Sequence, residues 1–377
     1  MRIIVRAGTH DRRNCPVSVH LGSASEGRYP VLLEEVAGRV IPAQVEPEGD
    51  GVRLWWILDN LQAGTERVYF LEWREEPNRS QVELSAREGQ VEVVILGSTF
   101  TTYHHGPEWA RPFLYPLVGP YGVSMTRRLA RPEDKDMDHH HHRSFWVAHG
   151  DVNGVDNWSE MEGHGRTVHR QFLRTDEGPV FGRICALGDW VSSDGRKILE
   201  EVRDIRIYAL PEEGRLVDME VELRASEGDV KFGDTKEGGI ASLRVQPSME
   251  VRNGGRIENS YGAIDEAEAW GRRAPWCDYS GPVEGRWVGM ALMDHPDGFR
   301  YPTYWHVRDY GLMTANPFGL SYFHNDPNRR GDYVLKAGES LKFKYRLYIH
   351  VGDAREGQVV GRYNDFVNPP EVITATV

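Results

Sequence analysis

The segment Asp138–Trp158, DHHHHRSFWVAHGDVNGVDNW, gathers groups able to donate or accept protons in a density that few stretches of a globular core reach. Histidine titrates near neutral pH, so His139–His142 and His149 suit general acid–base work or metal ligation. If the run is extended, His139 and His141 face one side and His140 and His142 the other. Arg143 presents a planar fork of donors matched to a carboxylate or to vicinal hydroxyls. Trp146 and Trp158 offer flat apolar faces against which a sugar ring can lie. Gly150 and Gly154 bracket Asp151 and Asn153, a pattern of a tight loop that presents polar side chains, with Asp156 just beyond. The competing structural reading is a hydrogen-bonded core with turns.

Two further polar clusters stand apart in the chain. In KFGDTKEGG, Lys231–Gly239, Lys236 and Glu237 form an ion pair on a solvated turn, or Glu237 is a base tuned by Lys236. In PTYWHVRDYGLMTAN, Pro302–Asn316, a strand would place His306 and Arg308 on one face with Tyr304 and Tyr310, beside Trp305 and Asp309. A half-buried strand with a structural Arg–Asp pair is the alternative there. Smaller patches, Tyr103–His105 with Arg111 and Tyr115, and Arg272 to Tyr279, line a pocket or anchor loops. No HExxH, GxxxxGK[ST] or GxSxG motif occurs, which removes the common zincins, the P-loop NTPases and the usual α/β-hydrolases.

These residues compose an acid–base site for a small carbohydrate. Glu237 is the candidate base and His142, His149 or His306 the acid. Arg143, Lys236 and Arg308 stabilise developing negative charge. The ring lies against Trp146, Trp158 or Trp305, and Asp151, Asn153, Asp156, Asp309 and Tyr310 complete the binding set. Epimerisation at an anomeric carbon and β-elimination from a uronide both fit. No cofactor is required. The first alternative is a divalent metal held by His139, His141 and His149 with Asp138 or Asp151. The second is a protein that binds carbohydrate without turnover.

The elements that must position these groups are strands. Gln90–Phe100, Leu199–Leu210, Arg215–Leu223 and Leu341–Val351 alternate or are rich in β-branched and aromatic residues. Turn clusters at Ser192–Gly195, Glu212–Gly214, Ser226–Asp229 and Pro296–Gly298 separate them. With 40 Gly and 21 Pro, long helices are disfavoured. The pattern predicts an all-β protein built as a large antiparallel sandwich. The charged, turn-prone stretch Arg74–Ser80 marks a boundary between a small β-domain, residues 1–80, and the larger domain, residues 85–377.

Composition narrows the partners. The 45 Lys and Arg stand against 57 Asp and Glu, a net charge of −12. An acidic surface disfavours nucleic acid and anionic membranes. The three cysteines, Cys15, Cys185 and Cys277, are far apart and suggest neither a disulfide framework nor a thiolate metal site. The N-terminus has no signal-peptide pattern, and no apolar run reaches the roughly 18 residues that a membrane span needs. The cytoplasm is the expected location.

DHHHHRSFWVAHGDVNGVDNW, FGDTKEGGIASLRV, WGRRAPWCDYSGP and FRYPTYWHVRDYGLMTANPFG, in this order, resemble a bacterial family of unknown function labelled "methane oxygenase PmoA" over roughly residues 85–365. The family usually reads DHPHHR, so His140 stands at a proline position and His139, His141 and His142 are the matching histidines. Membrane methane oxidation needs transmembrane helices, which the sequence does not provide. The resemblance implies a galactose-mutarotase-like β-supersandwich, a fold whose members often act on sugars.

Overall fold

The structure is a computed structural model, described for residues 1–131 and 133–375. Two large antiparallel sheets make the body of the protein. The first has nine strands, in the order Arg272–Arg273, Tyr304–Arg308, Leu312–Ala315, Gly238–Arg244, Phe145–His149, Phe113–Tyr115, Ser98–His104, Gln90–Ile95 and Val82–Arg87. The second has eight, from Arg166–Asp176 through Gly214–Arg224 and Ser340–Val351 to Arg256–Asn259. The period-2 pattern explains the layering. Gln90–Ile95 alternates partly exposed and buried residues without a break, so each strand gives one face to the core. Val93, Phe145, Val147, Leu243, Val307 and Met313 of the first sheet join Ile205, Val217, Met290 and Leu347 of the second in one buried cluster. The protein is thus an all-β sandwich, and no helix among the described residues is long and apolar enough to cross a membrane.

One expected strand is divided. Gln90–Phe100 breaks into Gln90–Ile95 and Ser98–His104 because Leu96 and Gly97 both take positive φ, 52° and 82°, and close a two-residue hairpin. That backbone belongs to a type I′ turn, whose twist matches the flanking strands.

The N-terminal residues form a five-stranded and a three-stranded sheet around Ile3, Val5, Cys15, Val17, Leu54, Trp56, Leu58 and Tyr69. Residues 1–80 do not complete this unit. The strand Glu371–Ala375 returns from the far end of the chain and pairs antiparallel with Arg2–Arg6 as the edge of the five-stranded sheet. The unit is tied to the body by polar groups out of water. Glu46, buried, receives Arg183 at 2.9 Å, Arg206 at 2.9 Å and the Trp55 indole at 2.8 Å. Arg12, also buried, donates to Asp365 and to the carbonyl of Asn368.

Candidate functional site

The outer face of the nine-stranded sheet carries the polar clusters. Cross-strand register lines up Phe113, Trp146, Ser242, Thr314 and His306 in one row, and Arg244, Leu312 and Arg308 in the next. Close strand approach at the row's centre depends on glycine. A Cβ on Gly239 would lie 1.4 Å from Thr314 Oγ1 and 2.5 Å from Ser242 Oγ, two hydroxyls that hydrogen-bond each other at 2.6 Å. Gly239→Ala is therefore expected to destabilise the fold by about 1–3 kcal/mol, the usual range for overpacking, read as a lower urea midpoint.

The run His139–His142 lies over this face as a turn and not as a strand. His142 N–H donates to the His139 carbonyl at 3.0 Å and His139 takes φ 43°, so the expected alternation of faces does not apply. The turn stacks His139 on His142 with ring centres 4.8 Å apart. His142 in turn stacks on Trp146 at 5.2 Å, and His139 stacks on Tyr310 at 4.8 Å. His140 points away, its ring nitrogen on the Asp134 carbonyl.

Arg244 organises the turn from beneath. Its guanidinium, 1% exposed, donates to His142 Nδ1 at 3.1 Å, to Asp138 Oδ1 at 2.9 Å and to Glu250 at 3.5 Å, and lies 4.8 Å from the Tyr310 ring centre. Arginine only donates, so His142 accepts at Nδ1 and is neutral with its proton on Nε2. Burial, reinforced by His141 and Arg244, holds its pKa well below the usual value. Arg127 also donates to the Asp138 carboxylate and to the carbonyls of Asp138 and His139. Burial opposes the Asp138 charge, yet Arg244, His139 and Arg127 keep that carboxyl below its ordinary pKa. The remaining Asp138 oxygen faces His139 Nδ1 at 3.2 Å, and the His139 ring is 37% exposed. An anchored carboxylate thus orients an accessible imidazole, the arrangement that fixes a histidine for proton transfer.

The other two clusters reach the same face. Burial raises the Tyr310 phenol, Arg308 and Arg244 oppose it, and Glu237 and Asp138 add smaller pushes upward. Glu237 is exposed, with Lys236 Nζ 3.4 Å away. His306, buried on the outer face, donates from Nδ1 to the Lys236 carbonyl at 2.6 Å and leaves Nε2 without a partner. Burial lowers its pKa to about 3, with smaller contributions from Arg308, Lys236 and His139. Arg308 pairs with Glu266, whose other oxygen accepts the Asp309 N–H.

Several expected site residues lie elsewhere. Strand parity turns His149 inward with Phe145 and Val147. It packs 4.9 Å from Phe318, binds the Gly233 carbonyl at 2.9 Å and is driven by burial to a pKa of about 4. It therefore lies across the sheet from His139 and His141, and that trio does not converge. Among the described residues no group of three or more His, Cys, Asp or Glu is arranged to hold a metal ion. Trp305 also faces the core, its indole donating to the Ala274 carbonyl. Trp146 and Trp158 are on the outer side but buried beneath the histidines, so neither presents a free face. Arg143 is occupied by Glu160, which it shares with Arg111. Asp151, Asn153 and Asp156 hold loops: they bind, in turn, Gly154 N–H, Lys231 N–H, and the N–H groups of Trp158 and Ser159. Asp309 receives the Glu266 N–H at the start of the short helix Asp265–Ala269.

Arg127, Arg244, Glu266 and Trp270 were not foreseen. Arg244 was readable as a lone charge in the otherwise apolar strand GGIASLR, a position that demands a partner. Nothing comparable marks Glu266 or Trp270.

Residues 90–364 match the model of a protein family described as "Family of unknown function (DUF6807)". No curated protein matches the chain.

Proposed function

The chain belongs to the DUF6807 family of unknown function, and from its site we propose a carbohydrate-active enzyme that works by general acid–base chemistry on a sugar or uronide. The observation that carries this reading is the Asp138–His139 pair, fixed by Arg127 and Arg244 and open to solvent, with the exposed Glu237 next to Lys236, whose carbonyl binds His306 of the same sheet. Glu237 serves as base and His139 as acid. The acid is not His142, His149 or His306, which are buried, but His139, the histidine of the turn whose ring is exposed and oriented by a carboxylate. The reading takes the two large sheets as a galactose-mutarotase-like supersandwich, a fold whose members often act on sugars.

Two reactions use such a pair. In anomeric epimerisation the base removes the O1 proton while the acid protonates the ring oxygen, the C1–O5 bond breaks, and closure on the other face restores the ring. In β-elimination the base removes the proton beside the carboxylate while the acid protonates the departing oxygen, and a C=C bond forms. The test is proton NMR of the protein with a panel of sugars and uronides in D2O, following anomeric exchange, deuterium entry at carbon and new vinyl signals. Glu237→Gln and His139→Ala are each expected to slow turnover by at least about 10²-fold, the lower end for a general acid or base. Unchanged turnover in both variants would sink the assignment.

A further inference from the structure

A cleft of about 870 Å³ opens beside Glu237, lined among others by Lys236, Trp270, Arg308 and Tyr322. Its acidic residues are already engaged. Asp234 accepts the N–H groups of Ser321 and Gly331, Glu266 accepts Arg308 and the Asp309 N–H, and Asp326 accepts the Asn328 N–H. What lacks a protein partner is of the opposite kind. Among the described residues, Arg308 Nε and Trp270 Nε1 are buried donors with no acceptor, and the Lys236 ammonium pairs with the exposed Glu237. Buried polar groups without partners call for one, in the protein or from outside it. Tyr322, 46% exposed, and Trp270 supply apolar faces.

We infer that this cleft holds the carboxylate-bearing ring of an acidic saccharide. The carboxylate lies between Lys236 and Arg308, and the apolar face of the ring lies on the aromatic wall. Cationic donors match carboxylate oxygens, Ser321 and Asn325 on the lining suit hydroxyls, and a sugar acid carries both groups on one ring. The inference rests on the acid–base reading above and narrows it from sugars in general to uronates.

Titration calorimetry and saturation-transfer NMR test it with glucuronate and galacturonate against glucose and galactose. The acids are expected to bind at least tenfold more tightly than the neutral sugars, and the preference should weaken as salt is raised. Lys236→Met should abolish the preference, and Arg308→Lys, which keeps charge but loses the fork, should reduce it. His139→Ala should retain it, because His139 is not among the residues that line this cleft. Equal binding of acids and neutral sugars, or a preference that survives Lys236→Met, overturns the inference. The two readings fail separately. Uronate binding without turnover of any sugar keeps the subsite and removes the enzyme, whereas turnover of neutral sugars alone does the reverse.

Discussion

Acidification from pH 7 to about pH 5 is expected to unfold the protein. His142, His149 and His306 are at most 2% exposed and neutral, and His141 is partly buried against His142. Desolvation is the largest cause of the shift at each: His141 and His306 fall to about 3, His149 to about 4 and His142 well below its usual value. The folded-state values lie below the unfolded value of about 6.5. The unfolded chain therefore takes up these protons first, and the stability present above pH 6.5 is lost as pH falls toward the folded values. Each histidine that stays neutral costs up to about 1.4 kcal/mol per pH unit, so the four together approach the whole of a typical folding free energy within about two units. Two carboxyls, Asp294 and Glu220, act in the other direction, both raised chiefly by burial. Burial raises the Asp294 carboxyl to about 7, so the folded state binds its proton more tightly and gains stability as pH falls through that range. Two such groups do not offset four. Thermal melts followed by circular dichroism from pH 8 to 5 measure the effect, and His149→Phe should flatten the slope by about one proton. A melting temperature unchanged down to pH 5 contradicts the account.

Arg244→Met is expected to cost about 3–5 kcal/mol, the range for breaking a buried ion pair by removing one partner. The loss has a definite location. Glu250, 1% exposed, would keep only Arg252 from outside and a contact from Asn253, while His142 Nδ1 would lose its donor. Asp138 would be left to Arg127 and His139, which loosens the pair proposed for proton transfer. Combining Arg244→Met with Glu250→Leu separates the two roles, since replacing both partners by apolar groups restores much of the stability. Urea denaturation should show that recovery, and turnover should stay low. Recovery of turnover together with stability would mean that Arg244 only supports the fold.

The sandwich was legible because strand alternation is a local pattern that the long-range fold enforces, as in Gln90–Ile95 and Lys197–Tyr208. The convergence of distant polar segments was expected, and they do share one sheet face. What misled was backbone conformation and parity. A positive φ at His139 turns four histidines back on themselves, and no residue type in the run announces it. His149 and Trp305 were recoverable: in FWVAH and YWHVR the residues two apart share a face, and both side chains fall on the apolar one. Trp146 and Trp158 show the reverse case, a correct face but a buried position, because the turn that covers them belongs to another segment.

The pairing of Arg2–Arg6 with Glu371–Ala375 has a consequence for how the protein is made. Arg6 and Glu371 meet across 365 residues of chain, so on the ribosome the strand Arg2–Arg6 must wait for that whole stretch to be made before its neighbour emerges. Until then one edge of the N-terminal sheet stays open, and an open edge is a template for unwanted pairing. The larger sandwich can gather first, and closing this last ladder is a non-local step of the kind that folds slowly. A nascent chain stalled before Glu371 should therefore be protease-sensitive in its first strands while the sandwich is already resistant.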